Sequence, residues 1–362
     1  MPRLTQLKIQ NFRNLNNVDI EISSNFNIFY GRNGAGKTSL LEAIYYLGLG
    51  RSFRSSPLRS IINYTADRFS IFILLKTDTD SFSLTAGIER SYNGGRHIKL
   101  EGETILTLSQ IAKRLPLQLI TATSYRFFYD GPRMRRSFMD WLAFHVKPTF
   151  FSVWKTLQRV LKQRNSALKK NRPYDQISFW NNELVSIARQ IDQFRSEIIV
   201  VLQPILLKLL ALLLPKYEFQ LQYERGWKPG EEYALLLNSS ITRDIERGHT
   251  QWGPHKADLR LMCNEKPAQD ILSQGQQKLA AYAFYLAQGQ LYKQETQQTP
   301  IYLIDDIASE LDAEKQICVI EALKQLHSQV CITGILSDEL KKIISLTHGT
   351  RFHIKHGAIV MD

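Results

Sequence analysis

The sequence predicts an α/β fold: a mixed sheet with an antiparallel β subdomain, and a mostly helical second lobe inserted between its halves. Three observations carry this reading. Short alternating strands surround a glycine-rich loop near the N-terminus, long helical segments fill the middle of the chain, and strand–helix alternation returns after residue 216. The expected division is 1–112 and 216–362 for the two halves of the head and 113–215 for the insertion.

The elements follow in order. Residues 4–10 alternate, 14–17 turn, 18–22 alternate again, and 25–30 (NFNIFY) run into the glycine-rich loop. A helix follows, with Leu41, Ile44 and Tyr45 at helical spacing and Gly48 and Gly50 at its end. Residues 69–103 return to short strands, with Asn93-Gly94-Gly95 as a turn, and predict a small antiparallel sheet. In the helical stretch, Phe150, Trp154, Leu157, Leu161 and Leu168 form one apolar stripe, opposite Lys155, Arg159, Lys162, Lys169 and Lys170. Residues 198–214 are strongly apolar but short for a bilayer and carry Gln203, Pro204 and Lys208, so a buried or kinked amphipathic helix is expected. Strands are expected at 217–223, 259–263 and 301–304 and near Val330 and Phe352, with a long helix at 274–295.

Composition sets the class. With 362 residues, 44% hydrophobic and 22% charged, the chain is ordinary globular protein, neither disordered nor collagen-like. Cys263, Cys318 and Cys331 form no C-x-x-C pair, which argues against a disulfide framework or zinc knuckle and for a reducing cytoplasm. The first residues lack the apolar core of a secretory signal, so export is not expected. A net charge of +12 calls for an anionic partner, and without a lipidation signal nucleic acid is favoured over membrane. Between Lys113 and Arg172 lie 14 of the 46 bases but only two of the 34 acids, Asp130 and Asp140. The whole excess therefore belongs to the start of the helical insertion.

The chemistry begins at Gly31, Arg32, Asn33, Gly34, Ala35, Gly36, Lys37 and Thr38, which fit G-x-x-x-x-G-K-[ST] between a strand and a helix. Such a loop turns backbone N–H groups onto phosphates, gives Lys37 to the β and γ phosphates and gives the Thr38 hydroxyl to Mg²⁺. ATP and Mg²⁺ are the implied cofactors. A buried strand, Ile301-Tyr-Leu-Ile, delivers Asp305 toward the metal and Asp306 to the place of a water-activating base or, alternatively, of a carboxylate that orients the metal ligands. Lys37, Asp305 and Asp306 are the catalytic candidates. Thirty-two residues before Asp305, Ser273 opens Ser273-Gln-Gly275-Gln276 at the start of a long helix, a second anion site.

Together these three motifs resemble the ATP-binding-cassette (ABC) class. The resemblance implies that Ser273, Gly275 and Gln276 face the nucleotide of a second copy, and that Ser309-Glu310-Leu311-Asp312 form its D-loop. More than 230 residues separate Thr38 from Ser273, about twice the spacing of a transporter cassette. The insertion lacks both a coiled coil of several hundred residues and a zinc-hook C-x-x-C. The chain is similar to the RecF family of bacterial recombination mediators over nearly its whole length. The residues that carry this are Leu7 to Arg13 (LKIQNFR), the P-loop, Gly50 to Arg54 (GRSFR), Gly131-Pro132 with Arg135-Arg136 and Asp140, Leu161 to Asn165 (LKQRN), Gly253-Pro-His255 with Asp258, and Leu272 to Lys278 (LSQGQQK).

The resemblance implies an ABC-type head with a helical lobe, ATP-dependent dimerisation on DNA at gaps or single/double-strand junctions, and weak, DNA-stimulated hydrolysis that resets the dimer. It also implies cooperation with RecR and RecO in loading RecA, in support of replication forks and the SOS response. The sequence departs from the family pattern in three places. Thr121-Ala122-Thr123 stands where a Pro-Glu pair is expected, leaving a Q-loop role for Gln118 open. Trp252 replaces an Arg before Gly-Pro-His, and Thr333 is the nearest polar residue to the place of a switch histidine. Arg51, Arg54, Arg133, Arg135, Arg136, Lys155, Arg159 and Lys162 are candidate DNA contacts; pairing within the molecule or a solvated helix face are their alternatives. An ATP-gated DNA-binding module with negligible turnover, or a transporter cassette, are the competing functions.

Overall fold

The computed structural model describes residues 3–54, 57–76, 83–307 and 311–360. The chain forms two compact units, Met1–Tyr125 with Gln274–Asp362, and Arg126–Ser273.

The first unit opens with the antiparallel pair β1 (Arg3–Phe12) and β2 (Leu15–Glu21). Leu4, Leu7, Ile9 and Phe12 are buried; the three-residue steps break strict alternation, at a register shift between Leu4 and Gln6 and at Asn11, whose φ is 55°. Next come β3 (Phe26–Tyr30), buried at every position, and α1 (Lys37–Leu49). The strands β4 (Arg68–Lys76), β5 (Ser83–Ser91), β6 (Arg96–Leu100) and β7 (Glu103–Thr104) extend the first hairpin into a six-stranded sheet, β2-β1-β4-β5-β6-β7. The expected small sheet is therefore larger, because β4 pairs along β1. Leu40, Leu41, Ile44 and Leu47 of α1 are wholly buried in this core, each contributing roughly 1.5–3 kcal/mol. α2 (Ser109–Arg114) and β8 (Leu117–Ile120) complete this half.

The second unit carries α3 (Pro132–Val146), α4 (Phe150–Lys169), α5 (Tyr174–Ser178) and α6 (Asn181–Leu213), then β9 (Phe219–Glu224), α7 (Tyr233–Ser239), α8 (Ile241–Arg247), β10 (Asp258–Cys263), β11 (Lys266–Pro267) and α9 (Ala268–Ile271). Its bounds differ from the expected 113–215. β8 pairs with the strand Ile301–Ile304 and so belongs to the head, while the small sheet β11-β10-β9 packs on α3 and α6 and so belongs to the helical unit. The sequence pattern missed this because a four-residue buried strand has no resolvable period. In α6, Ile198, Leu202, Leu206, Leu210 and Leu213 are buried at near four-residue intervals, with Pro204 inside the helix, while Val200, Val201 and Leu212 are exposed. The apolar run is thus an amphipathic helix with one face in the core of its unit.

The chain returns to the head through α10 (Gln274–Thr296), β12 (Ile301–Ile304), α11 (Ala313–Leu326), β13 (Val330–Gly334), α12 (Asp338–Thr347), β14 (Thr350–Lys355) and β15 (Ala358–Val360). The second sheet runs β15-β14-β3-β13-β12-β8, parallel except for the β14–β15 hairpin. Parallel pairing of β3, β13 and β12 brings their C-terminal ends to one edge, and the loops that leave them meet there.

Candidate nucleotide site

The P-loop leaves β3 at that edge. Gly34 and Gly36 have φ of 78° and 118°, and a Cβ on Gly36 would lie 2.8 Å from the Leu15 side chain, so the loop depends on glycine there. No side chain caps the start of α1, which leaves its first N–H groups and positive dipole end for an anion. Asn14 props the loop from β2's side: its amide donates to Gly34 O at 2.9 Å and its oxygen accepts from Ser39 Oγ at 2.8 Å. The Lys37 ammonium curls over the loop, donating to Gly31 O at 2.8 Å and Arg32 O at 3.0 Å. Burial holds its pKa below the ordinary lysine value, while the carboxylates of Asp306 and Asp305 pull the other way.

One helix and two strands then converge on one carboxylate. Thr38 Oγ1, from α1, donates to Asp305 Oδ1 at 2.9 Å, and Thr333 Oγ1, from β13, donates to the same oxygen at 2.6 Å. Thr333 also accepts the Asp306 N–H at 3.0 Å, which fixes the backbone just after the strand. Asp306 itself has φ of 57°, in the left-handed region, so the chain turns sharply as β12 ends. Lys37, Thr38, Asp305, Asp306 and Thr333 line one cavity of about 640 Å³ with Asn33 and Gly34. Residues 267 positions apart in sequence are thus within one hydrogen bond of each other.

The same cavity takes in residues that sequence reasoning assigned elsewhere or missed. Arg54, a candidate DNA contact, lines it and reaches the buried Glu42 at 3.5 Å; Arg13 pairs with Glu42 through Nε and Nη2. Glu42 lies on the inner side of α1, and its wholly buried carboxylate is the signal that cationic partners had to exist. Gln118 does not line the cavity. It is buried and bonded to Gln288 at 2.5 Å. Gly275 and Gln276 do not line the cavity; with Ser273 they sit at the start of α10, where Ser273 and Gly275 are exposed. Of the expected D-loop, Ser309 and Glu310 lie outside the described residues, and Asp312 caps α11 by accepting the Lys315 N–H at 2.9 Å.

The candidate DNA contacts separate sharply. Arg51, Arg133, Lys155, Arg159 and Lys162 are exposed. Arg159 pairs with Glu183, and Lys155 lies over the Phe151 ring at 5.7 Å. Arg135 must be withdrawn: it is buried, grips Asp258 through Nε at 2.7 Å and Nη2 at 3.1 Å, and also donates to Phe127 O. Arg136 is half-buried, donates to Ala257 O at 2.8 Å, and is held below the usual guanidinium pKa by burial, with Arg195 adding to the shift. Arg164, one of the 14 bases of the stretch, is sealed against Asp244, Asn181 and Thr250.

Comparison with known proteins places this geometry. Residues 3–354 match the family model described as the RecF/RecN/SMC N-terminal domain. A protein of Coxiella burnetii (strain Dugway 5J108-111) called DNA replication and repair protein RecF is 48% identical over 361 residues, 99% of both chains. The protein of that name in Shewanella oneidensis is 39% identical over 358 residues, again 99% of both chains. Among solved structures, the recombination mediator RecF of the RecFOR pathway matches with ATP (TM-score 0.88, 25% identity, 99% of this chain and 97% of that one) and with ATPγS (TM-score 0.85, 26% identity, with the same shares covered). An Smc head bound to the C-terminal winged-helix domain of ScpA shares the fold, with TM-score 0.63 at 16% identity over 99% of this chain and 96% of that one. With an ABC-type head built on this P-loop and a likeness that runs the length of the chain, the protein belongs to the RecF family.

Proposed function

We propose that this protein is a DNA-repair ATPase that closes two copies around ATP, holds DNA while closed, and reopens by slow hydrolysis. Its place is at gaps or single/double-strand junctions, where it works with RecR and RecO to load RecA, and so supports replication forks and the SOS response. The observation that carries the reading is the convergence of Thr38 and Thr333 on Asp305 beneath the loop that holds Lys37. Solved relatives named with ATP and ATPγS support the nucleotide, and their description within the RecFOR pathway supports the partners.

The residues fit both ATP and Mg²⁺. Lys37 Nζ is satisfied by two loop carbonyls that phosphate oxygens can replace, and a hydroxyl beside a carboxylate is the hard-oxygen pair Mg²⁺ accepts. When bound, the ion neutralises charge on the phosphates. Thr38 and Asp305 would hold it; Lys37 orients the phosphoryl groups; Thr333 fixes Asp306, whose carboxylate takes a proton from the attacking water. Exposed Ser273 and Gly275, at the N-terminal end of α10, would offer a hydroxyl and N–H groups to the nucleotide of the other copy.

The test is ATP turnover by the purified protein with and without gapped duplex. Slow turnover that rises with DNA is expected. Turnover indifferent to DNA contradicts the DNA coupling, and nucleotide-driven dimerisation with no turnover makes the protein an ATP-gated binding module instead.

A further inference from the structure

The helical unit has a cavity of its own. It holds about 790 Å³, within the range of small-ligand sites, and two loops wall it: residues 224–230 after β9, and residues 251–256 before β10. The loops are locked together. Gly253 N donates to Gly226 O at 3.0 Å, and a Cβ on Gly226 would overlap the Gly253 carbonyl, so no other residue lets the two backbones approach this closely. The Gly253-Pro-His segment is thereby explained as one wall, and Trp252 lines the cavity beside it.

The walls are flat and cationic. Trp227 is buried with its ring stacked on Tyr233, centroids 4.9 Å apart, and the Arg225 guanidinium lies 4.7 Å from the Trp227 ring centre. Arg225 Nη2 donates to Lys228 O at 2.9 Å, which fixes the guanidinium plane, while its buried Nε–H has no acceptor. Trp252 is half-exposed, and its carbonyl is anchored by the Tyr233 hydroxyl at 2.8 Å. The floor offers an acceptor: Asp192, on α6, receives the Tyr223 hydroxyl on Oδ1 at 2.9 Å and lines the cavity with Ser196 one turn on. Of the two basic residues at the rim, Lys228 pairs loosely with Glu231 at 3.5 Å, and Lys256 is exposed and in no ion pair among the described residues.

Stacking planes, a polar floor that can read a ring edge and a cationic rim form the chemistry of a nucleotide whose base is free to enter. A base paired in duplex cannot offer its face or its inner edge. We propose that this cavity binds a nucleotide of unpaired DNA, its base against Trp252 and Arg225 and its phosphate toward Lys256 and Lys228. The inference rests on the DNA-binding reading above and deepens it, because it makes the helical unit the part that senses single strand.

All five tryptophans lie in this unit, between residues 141 and 252, so their fluorescence reports on it. The experiment titrates the full-length protein, without ATP, with oligothymidylate, thymidine monophosphate and a blunt duplex, following tryptophan quenching and, in parallel, anisotropy of labelled DNA. Trp252→Ala and Arg225→Lys, which keeps the charge and loses the plane, should each weaken oligothymidylate binding about five- to hundred-fold. Duplex affinity should stay within about twofold of wild type, and Trp252→Phe should retain single-strand binding. Unchanged oligothymidylate affinity in Trp252→Ala and Arg225→Lys overturns the proposal, as does an equal loss on duplex. Thymidine monophosphate binding as tightly as the oligomer would make the ligand a free nucleotide, and displacement of the oligomer by an acidic peptide at equal concentration would make this a protein-docking site; either result overturns it. Failure of wild type to bind DNA in any form removes the DNA reading itself, whereas duplex binding that persists while the variants change nothing removes only the pocket.

Discussion

The two units use charge in opposite ways. In the head, polar side chains meet around an open cavity and are left partly available: Lys37 is held only by loop carbonyls, and Asp305 gathers two hydroxyls. In the helical unit, arginines are spent inside, with Arg164 on Asp244, Arg195 on Asp140 and Arg135 on Asp258. Net charge therefore says where an anionic partner is expected but not which cations are free to meet it. A buried pair does little for overall stability yet is costly to break, so these arginines act as bolts that specify the packing of α3, α4 and α6.

The largest expected effect falls on the head. Asp306→Asn should lower ATP turnover about 10²- to 10⁴-fold while ATP binding and nucleotide-driven dimerisation persist, measured by phosphate release and by equilibrium binding. Unchanged turnover would leave Asp306 as a carboxylate that only orients neighbours. In the helical unit the corresponding cut is structural. Arg164→Ala should cost about 3–5 kcal/mol in denaturant unfolding of that unit, since it strands the Asp244 carboxylate, while the exposed Arg133→Ala should leave the unfolding midpoint unmoved. Equal effects from the two would erase the distinction between bolt and surface.

Smaller effects sharpen the contrast. Lys155→Glu with Lys162→Glu on the outer face of α4 should weaken duplex binding and flatten its salt dependence by about 0.9 per lost phosphate contact, with ATP affinity unchanged. No change in salt slope would make that face merely solvated. A pH effect is expected from His255. Its Nε2 lies 3.0 Å from Thr250 O, and burial pushes the imidazole down from 6.5 to about 4. The folded state keeps this ring neutral while the unfolded chain protonates it, so stability should fall as pH drops from 6.5 to about 4 and then level off. His255→Gln should remove part of that acid limb; an identical limb in the variant would assign it to other groups.

The sequence and the structure agree most where the signal is local. A loop of eight consecutive residues and a strand that ends in two carboxylates are legible because the chemistry sits in one stretch. Their meeting through Thr333 was only hinted at, since nothing in the stretch around Thr333 says that its hydroxyl reaches back to Asp305. Arg135 reads as a candidate DNA contact because its partner, Asp258, lies far along the chain, as does Asp244, the partner of Arg164. β8 falls within the expected helical insertion because four residues, LQLI, three of them buried, fit a helix as well as a strand until β12 pairs with them. Glu42 and Asn14, which brace the P-loop region, carry no motif and became visible only through their partners.

The central claim is that nucleotide is shared between two copies, the P-loop of one facing the exposed start of α10 of the other. Sedimentation of Ser273→Arg with saturating ATP tests it most directly, alongside an ATP affinity measurement on the same variant. The account predicts monomers that bind ATP as well as wild type, against a wild type that dimerises. Dimers of Ser273→Arg formed on ATP as readily as those of wild type would contradict it.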